Sequence, residues 1–531
     1  MVVTTKRKVN EEPKLVIRNA TPDDIDGILD VAGKSYLGMA PYPKEMVLAQ
    51  MTNFSKGCFV AILNGAVVGY TASIRISDKC LVPHSWREIT GGGFGSTHEE
   101  NGEYLYGYEV CVDPSKRRYK IGQRFYDQRK KLCRFLRLKG IVFAGRLPNL
   151  KKKIKEVGTV ENYVESVRER KIKDPVLGFQ LRNGFEVLGI FKNYLPNDAE
   201  SLGYACHMIW RNPQHYDAVF NDSRGKKIAS TAGSEFANSV RVATVQYKQR
   251  RVHSLEEFEK LVTYFVDVCG DYRCDFVLFP ELFTLQLLSI DNETIPPHKA
   301  IEKITSYTEH LKKFFGELAM KYNVNIIAGS HPCKAENGDI HNVSFICLRD
   351  GRFYEQPKIH PTPNEKYWWN IKGADKLQAI PTDCGPIGVL ICFDSEFPEL
   401  SRYLADQGIK ILFVPFLTDE RQGYCRVRYC AQARAIENEI YVVMAGSVGN
   451  LPNVPNIDIH YSQSCILTPC DFAFARDGIA SEATPNVEML SFADLRIDTL
   501  IETRNTGTVQ NLKGRRHELY AVKWYGNKLE H

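Results

Sequence analysis

Five short, almost uninterrupted apolar runs constrain this chain more than any other feature: Cys274–Phe279, Val324–Ala328, Ile387–Phe393, Ile409–Phe416 and Tyr441–Ser447. A strand with one face in water alternates apolar and polar residues. A run that is apolar at nearly every position reads as a strand covered on both faces. Val240–Tyr247 reads as a further strand, and helical patterns separate the runs. The clearest helix is opened by Ser254-Leu-Glu-Glu257, a capping-box spacing, and striped by Leu255, Phe258, Leu261, Val262 and Phe265. Strands alternating with helices imply an α/β core clothed in helices.

The earlier part of the chain has a different texture. Phe59–Leu63, Val67–Ile76 and Tyr104–Val112 read as strands, with a hairpin signal at Asn64-Gly65 and a helix over Ile121–Arg137. This predicts a mixed α/β domain. Residues 221–239 are small, polar and without apolar period, the composition of a linker. The expected organisation is a polar extension over 1–13, a first domain over 14–220, the linker 221–239, a second domain over 240–522 and a tail over 523–531. Charge divides in the same place. Residues 1–230 carry 37 Lys and Arg against 25 Asp and Glu, a net of +12, whereas the rest carry 32 against 38, a net of −6. Halves of opposite sign point to different partners.

Several classes are disfavoured. No stretch approaches the roughly 18 consecutive apolar residues of a membrane span. The polar start MVVTTKRKVNEEPK has no secretory pattern. Fifteen scattered cysteines without any CxxC pair give neither zinc spacing nor a disulfide framework. A reduced, cytoplasmic protein without metal is the expectation.

In the second half, three reactive side chains stand where a buried strand is expected to stop. DFVLFPE ends in Glu281, QPKIH carries Lys358 and GPIGVLICFDSEFPEL carries Cys392. Chemistry in α/β folds gathers at the carboxyl ends of strands. A helix starting through Asp394, Ser395 and Pro398 would favour a Cys392 thiolate.

The ordered set PE at 280–281, KxxPTxxE at 358–365, CFDxxFPEL at 392–400 and RAIENEIYVV at 434–443, with the stretch His341–Ile346, resembles the nitrilase (carbon–nitrogen hydrolase) superfamily across about 238–522. The resemblance implies a four-layer αββα sandwich and a Glu–Lys–Cys centre. Glu281 is then the general base, Cys392 the nucleophile, Lys358 the cation and Glu365 a second, orienting glutamate. The oxyanion donors are Lys358 and the backbone N–H of Phe393. The hydrolase needs no cofactor. Nitrilases proper usually carry Trp-Glu after the nucleophile; Phe393-Asp394 here resembles the amidase branches, favouring carboxamides over nitriles. Such subunits commonly pair through helices beside the active site, implying a homodimer or higher oligomer, and GRRHELYAVKWYGNKLEH would suit an arm wrapping a partner. Trp368 and Trp369 read as packing before pocket lining, and Arg434 with Glu437 as a helix ion pair. His360 has no assigned role.

In the first half, sixteen basic residues and the single acid Asp127 lie between Lys116 and Lys155. A strand, then Asp-Pro, then Lys116-Arg-Arg-Tyr-Lys-Ile-Gly122-Gln ahead of a helix makes a pyrophosphate cradle. VCVDPSKRRYKIGQRF and DPVLGFQLRNGFEVLG resemble the acetyl-CoA loop and late segment of the GNAT acyltransferases across about 14–212. The resemblance places Val110 and Val112 against pantetheine and Arg117, Arg118, Lys120, Ile121, Gly122 and Gln123 around the pyrophosphate of acetyl-CoA or another acyl-CoA. Glu109 is a candidate base. Lys120 replaces the first loop glycine, and Gln180 stands where many members carry an acidic tyrosine. The expected protein is a carboxamide hydrolase joined to an acyl-CoA-binding domain that could also transfer the acyl group. The alternatives are an amidase regulated or localised by a CoA- or RNA-binding module and, more weakly, a nitrilase-fold N-acyltransferase. Nucleic acid is the rival partner for the basic stretch.

Overall fold

The computed structural model describes residues 13–36, 42–213, 215, 238–452, 454, 457 and 459–526. The chain divides into two compact units, one covering 14–230 and the other 231–531. Most of the expected linker and nearly all of the 1–13 extension lie outside the described residues. All fifteen cysteines are free thiols. Among the described residues no helix is long and apolar enough to cross a membrane.

The first unit is built on a seven-stranded sheet of β1 (Leu15–Asn19), β2 (Phe59–Leu63), β3 (Ala66–Ile76), β4 (Tyr104–Val112), β5 (Gly140–Arg146), β6 (Glu186–Phe191) and β7 (Ala205–Arg211), in the order β1-β2-β3-β4-β5-β7-β6. Asn64 and Gly65 join β2 to β3 with φ of 50° and 81°, the doubly left-handed turn that matches strand twist. Only β4 and β5 pair in parallel, so their connection must cross over, and the helix Ile121–Phe135 makes that crossing. It stops two residues short of the expected Arg137, which is itself left-handed at φ 54°.

The second unit holds two sheets. The first contains β8 (Ser239–Gln249), β9 (Phe276–Leu278), β10 (Asn325–Ile327), β11 (His331–Lys334), β12 (Ile340–Cys347), β13 (Phe353–Pro357) and β19 (Met489–Arg496). The second contains β14 (Ile387–Val389), β15 (Ile411–Phe416), β16 (Tyr441–Gly449), β17 (Cys465–Leu467) and β18 (Ile479–Glu482). They continue into one another where Ser447–Gly449 pair with Tyr247–Gln249.

Alternation within the apolar runs explains the layers. Val242, Phe276 and Leu278 face Ile411, Phe413 and Val443 across the gap between the sheets, with the Phe276 and Phe413 rings 5.2 Å apart. The intervening Val277 and Phe279 point outward onto Phe258, Val262 and Phe315 of the helices Leu255–Asp271 and Thr308–Tyr322. On the other side Leu412, Val414 and Met444 meet Leu404, Val427 and Ala431 of the helices Pro398–Asp406 and Arg421–Glu437. The result is an αββα sandwich. Each fully buried side chain of this kind contributes on the order of 1.5–3 kcal/mol. At the first of these helices Ser254 accepts from Glu257 N–H, but the Glu257 carboxylate reaches past it to His253 N–H, 2.8 Å away. The expected capping box is therefore half formed. The C-terminal segment lies against its own unit, with Trp524 stacked on Tyr403 and Asn511 bonded to Ile436 O.

Candidate active site

β9 ends at Leu278, β13 at Pro357 and β14 at Val389, and each hands the chain to one reactive side chain. Glu281, Lys358 and Glu365 meet in one cluster. Lys358 Nζ lies 2.7 Å from Glu281 Oε1 and 2.6 Å from Glu365 Oε2, with all three side chains at most 5% exposed. Glu365 is fixed by a full capping box: its N–H donates to Thr362 Oγ1, and its Oε2 accepts from Thr362 N–H at 2.7 Å. The T-x-x-E spacing inside the 358–365 motif carries this signal in the sequence.

Cys392 sits beside this cluster. Its thiol donates to Leu417 O at 3.8 Å, and Leu417 N–H donates to Glu281 Oε2 at 3.0 Å. The expectation of a strand through Phe393 and a thiolate at a helix N-terminus is corrected here. β14 ends at Val389, Cys392 opens a 3-10 turn running to Glu396, and the α-helix begins only at Pro398. Burial first, and the neighbouring Glu281 charge second, push the Cys392 thiol well above its ordinary value. Cys392 is left-handed, with φ 47°, a conformation that costs a residue other than glycine roughly 1–2 kcal/mol. Three contacts hold it: Ser395 Oγ donates to Cys392 O at 2.7 Å, and Arg434 donates to Ser395 O and Glu396 O. Arg434 also pairs with Glu437 at 2.9 Å, as its spacing suggests.

Burial raises Glu281 to about 6, against the pull of Lys358 and with a push from Glu365. Burial acts upward on Glu365 as well, but Lys358, Thr362 N–H and Asn342 outweigh it and hold that carboxyl below its ordinary value. The two glutamates thus separate, one near neutrality and one firmly ionised.

Three residues of this site carried no assigned role in the sequence reading. Asn342, fully buried on β12, splits its amide hydrogens between Glu281 Oε1 at 2.9 Å and Glu365 Oε1 at 3.0 Å. Leu417 works through its backbone, which no side-chain pattern reveals. Asp394 accepts from Ile359 N–H and His360 N–H, tying the Lys358 loop to the Cys392 turn. His360 also rests its Nδ1 on Asp394 at 3.0 Å and stacks on Phe397. A cavity of about 520 Å³ opens above these groups. Both tryptophans line it, Trp369 buried and Trp368 45% exposed, so the packing reading holds for only one of them.

In the first unit, β4 pairs with β5 only from Tyr104 to Tyr106, against Gly140 to Val142, and the two strands then part. Val110 and Val112 lie half-buried on the diverging stretch. The turn Pro114–Tyr119 follows, with Arg117 and Arg118 exposed. Lys120 then takes the left-handed conformation, φ 52°, that a glycine would adopt freely, and Ile121, Gly122 and Gln123 open the helix. These residues fit a polyanionic ligand: a cationic loop at a helix start below an open strand edge. Glu109 does not present a free carboxylate. Tyr36 and Tyr42 donate to its two oxygens at 2.6 and 2.5 Å, and burial raises its carboxyl above the ordinary value. Gln180 is buried, and its Oε1 has no partner among the described residues.

Comparisons with known proteins agree with this division. Residues 241–505 match the carbon–nitrogen hydrolase family. The whole chain is similar to a probable hydrolase, YhcX, of Bacillus subtilis, with 45% identity over 97% of this chain and 98% of that one. Part of it is similar to an uncharacterized N-acetyltransferase, YkwB, of the same organism, with 30% identity over 40% of this chain and 96% of that one. A deaminated glutathione amidase of Synechocystis is 29% identical over 37% of this chain and 72% of its own length.

Proposed function

This chain belongs to the carbon–nitrogen hydrolase family, and from that premise we propose that it hydrolyses a carboxamide through a thioester on Cys392. The observation that carries the reading is the convergence of Glu281, Lys358 and Glu365 beside the Cys392 thiol at the floor of one cavity. The thiol is protonated at rest, so attack on a carbonyl needs a base in contact. Glu281 Oε1 is taken by Lys358 and Asn342, and Oε2 accepts Leu417 N–H, which leaves Oε2 room to accept the proton of Cys392, whose thiol already acts on Glu281 as a hydrogen-bond donor. Its value of about 6 suits a base that must later return the proton.

As Sγ bonds to the carbonyl carbon, charge gathers on the oxygen, where Lys358 Nζ and Phe393 N–H donate. One such donor is worth about 3–4 kcal/mol of barrier. The proton on Glu281 passes to the departing amine, the C–N bond breaks and the thioester remains. Water, deprotonated by Glu281, then releases the acid and restores the thiol. Glu365 keeps Lys358 placed and charged.

Intact-mass measurement after adding amides tests the reading. A thioester on the wild type and none on Cys392→Ala is expected; an adduct-free wild type across a broad amide panel overturns it. Acyl product on an added amine instead of water would favour the nitrilase-fold acyltransferase alternative. The second unit is also proposed to pair with another copy of itself, which sedimentation tests.

For the first unit we infer an acyl-CoA site along the parting edge of β4 and the 117–123 loop. Acyl-CoA would supply the thioester there, and these residues would hold its pantetheine and pyrophosphate. The closed Glu109 and the Gln180 amide favour binding over transfer, hence a module that senses acyl-CoA. Calorimetric titration with acetyl-CoA at two salt concentrations separates a fitted site from a polyanion patch, which loses affinity steeply with salt. Acetylated amine product would reinstate transfer.

A further inference from the structure

We propose that the amide taken by this cavity carries a positive group, an ammonium or guanidinium, that pairs with the Asp419 carboxylate; the proposal rests on the hydrolase reading above.

Asp419 is placed by the same strand end that touches the reacting groups. Leu417 donates to Glu281 and accepts from Cys392. Thr418, which also lines the cavity, exchanges hydrogen bonds with the backbone of Tyr461. Asp419 follows, exposed at the cavity's lining. Two residues of chain reach at most about 7 Å, so its carboxylate stands within a small molecule's length of the nucleophile. Its Oδ1 accepts Glu420 N–H at 3.0 Å, and Oδ2 has no partner among the described residues.

The remaining charges of the cavity are already matched. Lys358 lies between Glu281 and Glu365, and Arg426 Nε rests 3.1 Å from Glu396 Oε1. Asp419 is the one charged lining residue without an opposite charge among the described residues. Four carboxylates face two cations, so a cationic substrate enters down the field and an anionic one against it. Trp368, half-exposed and also lining the cavity, offers an indole face, the strongest of the aromatic partners for a cation. A carboxylate-bearing amide would have to win Arg426 from Glu396.

Three amides of equal length, ending in ammonium, methyl or carboxylate, test this with the full-length protein and its Asp419→Asn and Arg426→Gln variants. Hydrolysis rates and the Cys392 thioester mass are both read. The ammonium amide is expected to lead the methyl amide by about tenfold in kcat/KM, a gap of one decade, and the lead should shrink with added salt. Asp419→Asn should cost the ammonium amide about tenfold more than it costs the methyl amide. Equal rates for all three, or a carboxylate preference lost in Arg426→Gln, overturn the proposal and leave the hydrolase reading standing. No thioester from the ammonium amide, where another amide of the broad panel gives one, likewise overturns the proposal alone; the hydrolase reading falls only if the whole panel leaves the wild type adduct-free.

Discussion

Lys358 Nζ and Glu281 Oε1 lie 2.7 Å apart with their side chains 1% and 3% exposed, and the same ammonium also holds Glu365. One cation therefore keeps two carboxylates charged with almost no side-chain surface left to solvent. Removing a partner from such a buried arrangement leaves uncompensated charge, which costs about 3–5 kcal/mol. Lys358→Met should lose that much in the unfolding transition of the second unit, followed by urea and fluorescence. It should also form no thioester. A loss of less than about 1 kcal/mol, the scale of an exposed pair, would mean that the two glutamates are not both ionised in the wild type.

The acid limb of activity should belong to Glu281. Its carboxyl is held up at about 6, chiefly by burial, and only the ionised form can take the Cys392 proton. The pH profile of kcat/KM should therefore rise through about pH 6 and level above it, and a Glu281→Asp variant should move the limb. Stability has the opposite sign. A carboxyl raised above its ordinary 4.5 binds its proton more tightly when folded, so its contribution is full below about 4.5 and is lost as pH climbs through 6. Melts of wild type and Glu281→Gln across that window should show the wild type losing ground as pH rises. Parallel curves would remove Glu281 as the titrating group.

Thr362→Ala tests how far a helix cap governs the site. The substitution removes the hydroxyl that accepts Glu365 N–H at 3.2 Å, an N-cap loss worth about 1 kcal/mol. Because the other half of the box is the Glu365 carboxylate itself, the cost should reach the chemistry. Thioester formation is expected to slow while substrate KM changes little, and Thr362→Ser should restore both. An unchanged acylation rate in Thr362→Ala would show that Lys358 and Asn342 suffice to place Glu365.

Glu281 and Cys392 were legible because each follows an apolar run, and Lys358 and Glu365 because the order of all four along the chain follows a family pattern. The layered fold was legible for a related reason: strands covered on both faces leave no polar alternation. What stayed hidden works through the backbone or across long separations. Leu417 contributes an N–H and a carbonyl, which any residue could supply. Tyr36 and Tyr42 close over Glu109 from 73 and 67 residues away, so a strand glutamate that reads equally as a base or as a structural residue is sealed. The thiolate expectation failed because the helix was taken to begin at Asp394. Phe397 holds an extended ψ of 108°, which postpones the α-helix to Pro398.

Lys120→Gly separates charge from backbone shape in the acyl-CoA loop. Lys120 holds φ 52° and ψ 30° at the start of the helix Ile121–Phe135, a left-handed conformation costing about 1–2 kcal/mol outside glycine. Glycine relieves that cost but frees the unfolded chain, by about 0.4–1 kcal/mol in the opposite direction. The relief exceeds the cost by roughly 1 kcal/mol, so the melting temperature of the first unit should rise by a few degrees. Acetyl-CoA binding should still weaken, because the loop loses one of its cationic side chains, and the loss should be larger at low salt than at high salt. Calorimetry at both concentrations reads the difference. If Lys120→Gly instead binds acetyl-CoA more tightly at both, the loop geometry outweighs its charge, and the lysine is an obstacle to the pyrophosphate and not one of its ligands.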